Sequence, residues 1–211
     1  MLKPFYQEGL IEAGIDEAGR GSLIGRVYAG VVIWDPNVIE PKGFELKDSK
    51  KISKKKRVKI RDYIIENAID YGVGYCEPSE IDEYNILEAT MMAMHKAVKQ
   101  LKNIPDLLLV DGNRFKTCIY TKENGDSDFY NYKCITKGDS IYKSIAAASI
   151  LAKTYRDLYM IEQHDLFPYF GWNRNKGYGT ELHRKSIFKH GLTKLHRKSF
   201  TIRKSQIKLE L

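Results

Sequence analysis

The chain is poor in cysteine and has no long apolar run, and both absences narrow its class. Its three cysteines lie far apart, without a Cys-X-X-Cys pair. Such spacing is typical of a reducing compartment and argues against a zinc ribbon. The longest apolar run, 145–151, contains a serine and is far shorter than the roughly 20 residues of a membrane-spanning helix. The N-terminal segment lacks the apolar region of a signal peptide, so we expect a cytoplasmic protein with no membrane contact.

Repeats and low-complexity linkers are also lacking, which favours one folded unit. The 211 residues are 43% hydrophobic, enough for one sizeable core and a small appendage. We therefore predict a single domain over 1–211. Within it, about 165–211 would be a basic C-terminal helical extension that contributes to substrate binding.

Positive charge is concentrated in two zones. The chain has a net charge of +8, yet 171–211 alone has 11 Lys/Arg against 2 Asp/Glu. A second zone, 42–61, has 10 Lys/Arg against 2 acids. Basic zones on a nearly neutral body suit a polyanionic partner such as nucleic acid, although each could also be a solvated helix face.

Strand-like and helix-like segments alternate, which predicts a mixed α/β domain. The first two strands are close enough in sequence to pair antiparallel, and the continuous apolar run at 107–110 suits a buried parallel strand. Ser53 is a good N-cap, and the pattern S-E-I-D at 79–82 is typical of a capping box. The predicted strands are 12–16, 26–34, 71–77 and 107–110, and the predicted helices are 53–67, one beginning at 78, 86–101, 140–164 and 181–189.

Between the last strand and the long helix lies a β-rich segment. Asn124-Gly125 is a hairpin-turn signal between two runs rich in aromatic and β-branched residues. We interpret 115–136 as an excursion from the catalytic framework.

Two adjacent carboxylates, Asp16 and Glu17, precede the glycine-rich turn Gly19-Arg20-Gly21. Carboxylate oxygens are preferred ligands of Mg²⁺ and Mn²⁺, and glycine amides can approach a phosphate or sugar closely. A metal-dependent nuclease needs both features. The pair alone could equally be two solvated acids on a surface turn. Neighbours on a strand point to opposite faces, so both acids can serve one site only where the strand ends or twists.

Two further acids occur where an α/β sheet presents reactive groups. Asp111 ends the buried strand and precedes Gly112, a position that also suits an Asx-turn. Asp139 lies just before the long helix, where an N-cap is an alternative role. The four acids could converge only if the fold brings their strands together.

Eight motifs, in this order, resemble those of the ribonuclease HII family and together span 14–200. The resemblance implies a ribonuclease H-like fold, with a five-stranded mixed sheet flanked by helices and a C-terminal helical segment. It also implies an endoribonuclease that acts on RNA–DNA hybrids and on duplex DNA containing ribonucleotides. We expect a monomer. The motifs are GIDEAGRGSLIG, DSKK, EIDEYNIL, VDGN, KGD, SIAAASILAK, KGYGT and HRKSF.

By this resemblance, Asp16, Glu17, Asp111 and Asp139 would be catalytic carboxylates that hold two Mg²⁺ or Mn²⁺ ions. One ion would activate a water and the other would stabilise the leaving 3′-oxygen. Asp16 would be shared by both ions, with Asp139 serving one and Asp111 the other. The products would carry 5′-phosphate and 3′-hydroxyl ends.

The resemblance also assigns the substrate contacts. Gly19, Arg20 and Gly21 would read the 2′-hydroxyl at an RNA–DNA junction, largely through backbone atoms. Tyr178, between two glycines, would stack on the sugar after the ribonucleotide, although it could also be an ordinary loop aromatic. Candidates for contact with the nucleic-acid backbone are Lys50, Lys51, Lys153, Arg156 and the basic tail.

Some positions depart from the family pattern or have no assigned chemistry. Ser22 and Arg26 replace prolines that are usual in the family, and we expect only altered turn rigidity there. His183, His190 and His196 are not spaced as a zinc site, and we interpret them as helix-surface, tail or phosphate contacts.

Three alternatives differ in testable ways. Ribonuclease HIII usually has an extra N-terminal domain and a lysine in its glycine motif, whereas here the first motif begins at Gly14 and residue 20 is arginine. A non-catalytic nucleic-acid-binding module would not need four intact acids. A DNA-only nuclease or recombinase on a similar fold would not need the Gly-Arg-Gly turn and Tyr178.

Overall fold

A mixed five-stranded sheet forms the centre of the structure, a computed structural model that describes residues 2–41, 46, 53–122 and 124–200. The strand order is β3-β2-β1-β4-β7. This confirms the predicted fold class. The strands are β1 Glu12–Ala18, β2 Val27–Ile33, β3 Asp70–Cys76, β4 Leu107–Asp111, β5 Ile119–Thr121, β6 Ser127–Phe129 and β7 Tyr132–Ile135; the helices are α1 Lys54–Asn67, α2 Pro78–Val98, α3 Lys143–Leu166, α4 Trp172–Asn175 and α5 Glu181–His190.

The register of the central strands follows from their apolar content. β2 is buried at every position, and it pairs antiparallel with both β1 and β3. β4 pairs parallel with β1, so that Ile15 lies beside Val110. The predicted antiparallel pair and the predicted buried parallel strand are both confirmed.

Helix α3 packs closely against β1 and β2 because small residues face each other across the contact. A Cβ on Gly14 would lie 2.2 Å from the Ile145 nitrogen, and a Cβ on Gly30 would lie 2.5 Å from the Ala148 carbonyl oxygen. Backbone therefore meets backbone at both points, and the alanine-rich stretch of α3 permits the approach.

Helix α2 contains the break that the sequence predicts between two helices. Asn85 lies at φ 67° and ψ 165°, and its side chain accepts hydrogen bonds from the amides of Leu87 and Glu88. The predicted capping box was misplaced: the box forms between Glu77 and Glu80, because Pro78 occupies the first helical turn.

The interpretation of 115–136 as an excursion was wrong for its last part. β5 and β6 form the predicted hairpin outside the main sheet, with Gly125 at φ 89°. β7, however, is the edge strand of the main sheet and pairs parallel with β4. The segment is rich in aromatic residues throughout, so its sequence pattern does not distinguish a strand of the hairpin from a strand of the main sheet.

The C-terminal segment packs on the body through an aromatic core. Phe170 and Trp172 are fully buried and stack with ring centroids 4.7 Å apart. They share a cluster with Ile24 and Met160. The single domain over 1–211 stays a prediction, because 201–211 lie outside the described residues. Within the described ranges, no helix is long and apolar enough to cross a membrane.

Candidate active site

Three carboxylates converge at one edge of the main sheet. Asp16 comes from β1, Asp111 ends β4, and Asp139 lies in a single turn of 3₁₀ helix, Gly138–Ser140. One oxygen from each carboxylate lies within 4.8 Å of the others. Because β1 and β4 are parallel neighbours, their carboxyl-terminal residues meet at the same edge.

Strand β7 positions the third acid, Asp139, at this edge of the sheet. β7 runs parallel to β4 and ends directly before the turn that contains Asp139. Lys137 takes a left-handed conformation at φ 58°, and the Gly138 amide donates to Asp111 Oδ1 at 2.7 Å. This bond fixes the Asp111 side chain and ties the turn to the end of β4.

Asp16 is the most deeply placed of the three, with 6% of its surface exposed. Burial, followed by the neighbouring charges of Glu17 and Asp111, raises its pKa well above the ordinary value. A hydrogen bond from the Ser149 side chain and one from the Glu17 amide, at 2.7 Å, oppose that rise. The site therefore concentrates negative charge that the described side chains only partly compensate.

Glu17 lies beside this group but outside the set of three. Its carboxylate accepts a bond from Arg20 Nη1 at 3.2 Å. Burial raises the Glu17 pKa, while the Arg20 charge lowers it. Asp111 also influences the Glu17 pKa, so the glutamate still faces the same electrostatic field.

The donor set fits hard divalent cations. All the candidate ligands are carboxylate oxygens, which suit Mg²⁺ or Mn²⁺ better than Zn²⁺ or copper. Three like-charged oxygens within 4.8 Å repel one another unless a cation or a proton intervenes. The site's electrostatics thus favour a bound cation, and its chemistry does not select between Mg²⁺ and Mn²⁺.

The glycine turn follows β1, the strand of Asp16 and Glu17, and contacts Tyr178. Gly19 has φ 97°, and the turn closes through a bond from the Ser22 amide to the Gly19 carbonyl at 3.4 Å. A Cβ on Gly21 would lie 3.8 Å from the Tyr178 ring. The ring itself is 41% exposed. The structure thus brings together the two elements that the sequence predicts as ribose contacts.

Comparison with known proteins identifies the family. The family model described as Ribonuclease HII matches residues 13–203. This chain belongs to the ribonuclease HII family. It is 48% identical to a Ribonuclease HII of Parabacteroides distasonis over 209 residues, which is 99% of each chain. It is therefore an endoribonuclease of the class that hydrolyses the RNA strand of RNA–DNA hybrids.

Solved structures agree with this assignment. The ribonuclease H2 of Pyrococcus horikoshii superposes with a TM-score of 0.71 at 28% identity, covering 90% of this chain and 93% of that one. Bst-RNase HIII, solved in complex with Mn²⁺, superposes with a TM-score of 0.66 at 20% identity. It covers 90% of this chain but 67% of its own, and this likeness concerns the fold alone.

Arg156, one of the cationic residues predicted to contact the nucleic-acid backbone, does not lie at the surface. Arg156 is fully buried beneath the ribonuclease HII glycine turn: a Cβ on Gly19 would lie 2.0 Å from its Nε. Its Nη2 donates to the Lys176 carbonyl at 2.8 Å, and its guanidinium lies 5.5 Å from the Tyr178 ring centroid. An exposed phosphate contact by Arg156 was thus a wrong expectation, since the side chain packs between the glycine turn and the Tyr178 loop.

Lys153 is held in an ion pair. Its Nζ lies 2.6 Å from Asp157 Oδ1, and Arg57 contacts the other oxygen of the same carboxylate at 3.0 Å. A phosphate contact by Lys153 would compete with this pair. Lys50, Lys51 and the tail beyond residue 200 lie outside the described residues.

The histidine interpretation was wrong for two of the three residues. His183 and His196 are buried, with ring centroids 5.6 Å apart, whereas His190 is exposed. His183 Nε2 accepts from Trp172 Nε1 at 3.0 Å. Burial lowers the pKa of His183, and burial together with His183 lowers that of His196 to about 4. Their sequence spacing contained no signal of this packing.

The two positions that replace family prolines do more than alter turn rigidity. Ser22 Oγ donates to the Ile24 carbonyl at 2.9 Å and approaches the Lys176 carbonyl at 3.3 Å. Arg26 forms an ion pair with Glu77 at 2.6 Å, and its guanidinium lies 4.0 Å from the Tyr75 ring centroid. At both positions, polar contacts of the side chain therefore take the place of the backbone restriction that a proline ring would impose.

Sequence reasoning missed two residues that hydrogen-bond to parts of the site, one to a carboxylate and one to the glycine turn. Ser149, in the alanine-rich stretch of α3, forms a side-chain hydrogen bond with Asp16. A single serine among alanines was the only feature of the sequence that could have indicated this contact. Arg197, in the HRKSF motif, is 2% exposed and bonds to backbone carbonyls of the glycine turn. A basic residue in a basic tail gave no indication of burial.

Proposed function

We propose that this ribonuclease HII family member also nicks duplex DNA on the 5′ side of a single embedded ribonucleotide, leaving 5′-phosphate and 3′-hydroxyl ends. The proposal depends on one observation: β1 contributes Asp16 to the carboxylate group and leads directly into the Gly19–Gly21 turn, which contacts Tyr178. A site that joins metal-ligating oxygens to ribose-facing glycines can cut and can recognise where to cut.

The proposed metal ligands are Asp16, Asp111 and Asp139, with Glu17 completing the set. Two bound Mg²⁺ or Mn²⁺ ions would supply an activated water and charge stabilisation at the leaving 3′-oxygen. The burial of Asp16 and its pKa, raised by burial and by the charges of Glu17 and Asp111, support its role as the shared ligand.

The residues around these carboxylates position them before substrate arrives. Ser149 and the Glu17 amide orient Asp16, and the Gly138 amide orients Asp111. Arg20 restrains Glu17. Since these bonds exist in the free protein, the ligands are largely preorganised.

Recognition of ribose would fall to the glycine turn and Tyr178. The exposed face of Tyr178 is available for stacking on a sugar, and the buried Arg156 lies on the core side of the two loops. The basic segment from about 165 onward, together with Lys50, Lys51 and Lys153, would bind the nucleic-acid backbone. The protein would act as a monomer.

The test uses an end-labelled DNA duplex with one ribonucleotide, incubated with Mg²⁺ or Mn²⁺. We expect a single metal-dependent nick on the 5′ side of the ribonucleotide, lost in Asp16→Asn while binding of the duplex is retained. Glu162→Gln, which changes an exposed acid on α3, is the matched control and should cleave normally.

Other results would favour the alternatives. Cleavage of a long RNA–DNA hybrid without the nick would indicate a ribonuclease HIII-like specificity. Absence of cleavage on both substrates, with binding intact, would leave a nucleic-acid-binding module. Metal-dependent cleavage by Asp16→Asn would contradict the proposed ligand set.

A further inference from the structure

The glycine turn is held from beneath by a buried arginine that is distant in sequence. Arg197 Nη1 donates to the carbonyls of Arg20 and Ser22 at 2.9 and 2.8 Å, and its Nε donates to the Gly25 carbonyl at 2.9 Å. One guanidinium thus contacts three carbonyls along the turn and the segment after it. Its planar fork suits this task better than a single ammonium would.

The bond to the Arg20 carbonyl determines where the next amide points. In a planar trans peptide, the carbonyl and the following N–H point in opposite directions. Because the Arg20 carbonyl is drawn inward to Arg197, the Gly21 N–H is directed away from the core. Among the described residues, no group accepts a hydrogen bond from the Gly21 amide.

The second ribose-facing loop repeats this arrangement. The Tyr178 carbonyl lies 3.0 Å from His183 Nδ1. Trp172 Nε1 is a donor only, so His183 Nε2 accepts from it and the proton resides on Nδ1. His183 therefore donates to the Tyr178 carbonyl, and the amide of Gly179 is turned the opposite way.

The two loops and their buried supports are joined into one frame. The Leu23 amide donates to the Gly177 carbonyl at 3.0 Å, and the Arg197 amide donates to the Leu23 carbonyl at 3.0 Å. A displacement of Arg197 would therefore disturb both loops. His183 and Arg197 are both buried and themselves out of reach of a substrate.

We propose that Arg197 and His183 are positioning residues that set the selectivity for ribose, by directing the amides of Gly21 and Gly179 toward the substrate. This inference rests on the proposed cleavage at embedded ribonucleotides. It assigns the C-terminal segment a role in discrimination, in addition to the contribution of its charge to binding.

The experiment measures discrimination in the Asp16→Asn background, where duplexes bind without being cut. The dissociation constant is determined for a duplex with one ribonucleotide and for the same duplex made wholly of DNA. We define discrimination as the dissociation constant of the all-DNA duplex divided by that of the duplex with one ribonucleotide. Arg197→Lys should reduce this ratio about tenfold, as expected for the loss of about one aligned hydrogen bond. Affinity for the DNA duplex should hardly change.

A second variant and a control separate positioning from general damage. His183→Gln disturbs the other loop and should also reduce the ratio, even if Arg197→Lys does not fold. Arg26→Lys is the matched control, because the Arg26 side chain pairs with Glu77 and packs on the Tyr75 and Tyr159 rings; its ratio should equal that of the parent. Thermal unfolding of each variant reports folding.

The outcomes distinguish this inference from the function on which it rests. Equal affinity of the Asp16→Asn parent for both duplexes, with no nick by the wild type, would contradict the proposed function. A parent that discriminates, together with folded variants whose ratio is unchanged, would overturn the positioning role. An equal loss of affinity for both duplexes would also overturn it, since it indicates only structural damage.

Discussion

Removal of one active-site charge should stabilise the metal-free protein while abolishing its activity. In Asp16→Asn, the amide oxygen can still accept the bond from the Glu17 amide, which spans 2.7 Å in the parent. What is lost is repulsion between Asp16 and its two acidic partners, whose oxygens lie within 4.8 Å. The substitution therefore separates electrostatic strain from packing.

The size of the effect follows from Coulomb's law. Two full charges about 4.8 Å apart repel by about 3.5 kcal/mol at an effective dielectric constant of about 20. The raised pKa of Asp16 shows that burial and the charges of Glu17 and Asp111 disfavour its ionised form. We expect the free energy of unfolding to rise by about 1–2 kcal/mol, which corresponds to a Tm increase of about 2–8 °C for a chain of this length.

The assay is thermal unfolding in a chelator and then in a Mg²⁺ titration at neutral pH. A cation that binds only the folded state should raise the Tm of the parent with concentration. It should raise the Tm of Asp16→Asn much less. The higher Tm expected for the variant without metal should therefore approach or fall below the Tm of the parent as Mg²⁺ is added. Glu162→Gln should match the parent throughout. A variant that is less stable than the parent without metal would refute the reasoning.

Three further results are expected. Gly30→Ala should lower stability by about 1–3 kcal/mol in chemical denaturation, because the new Cβ would lie 2.5 Å from the Ala148 carbonyl oxygen; unchanged stability would contradict the packing. Burial lowers the pKa of His196 to about 4, so between pH 6.5 and 4 the unfolded chain binds a proton that the folded state excludes, and the parent should lose about 1–2 kcal/mol more stability than His196→Asn between pH 7 and pH 5. Equal losses would exclude His196 as the cause. Affinity for an all-DNA duplex should fall steeply and linearly on a log–log salt plot, and a flat plot would contradict a role for the basic zones.

The sequence predicted the parts of the fold that depend on local pattern. Apolar continuity identified β4 as a buried strand. Ser53 caps α1 as predicted, with its side chain accepting from the Lys56 amide. Each of these features is specified by residues near one another along the chain.

Long-range contacts escaped prediction, because they depend on which segments meet. β7 looks like half of a hairpin, yet it joins the main sheet and places Asp139 at the site. Arg156 and Arg197 look like surface cations, yet both are buried against backbone carbonyls. Local pattern cannot reveal that a cation's partner is a carbonyl in a distant loop.

The most direct measurement of the central claim maps the ends produced from a duplex with one ribonucleotide, beside the identical all-DNA duplex. We predict one cut, on the 5′ side of the ribonucleotide, with 5′-phosphate and 3′-hydroxyl ends, and no cut in the DNA duplex. Cutting at any other position, or equal cutting of both duplexes, would contradict a site in which the glycine turn and Tyr178 select the bond that the carboxylates cleave.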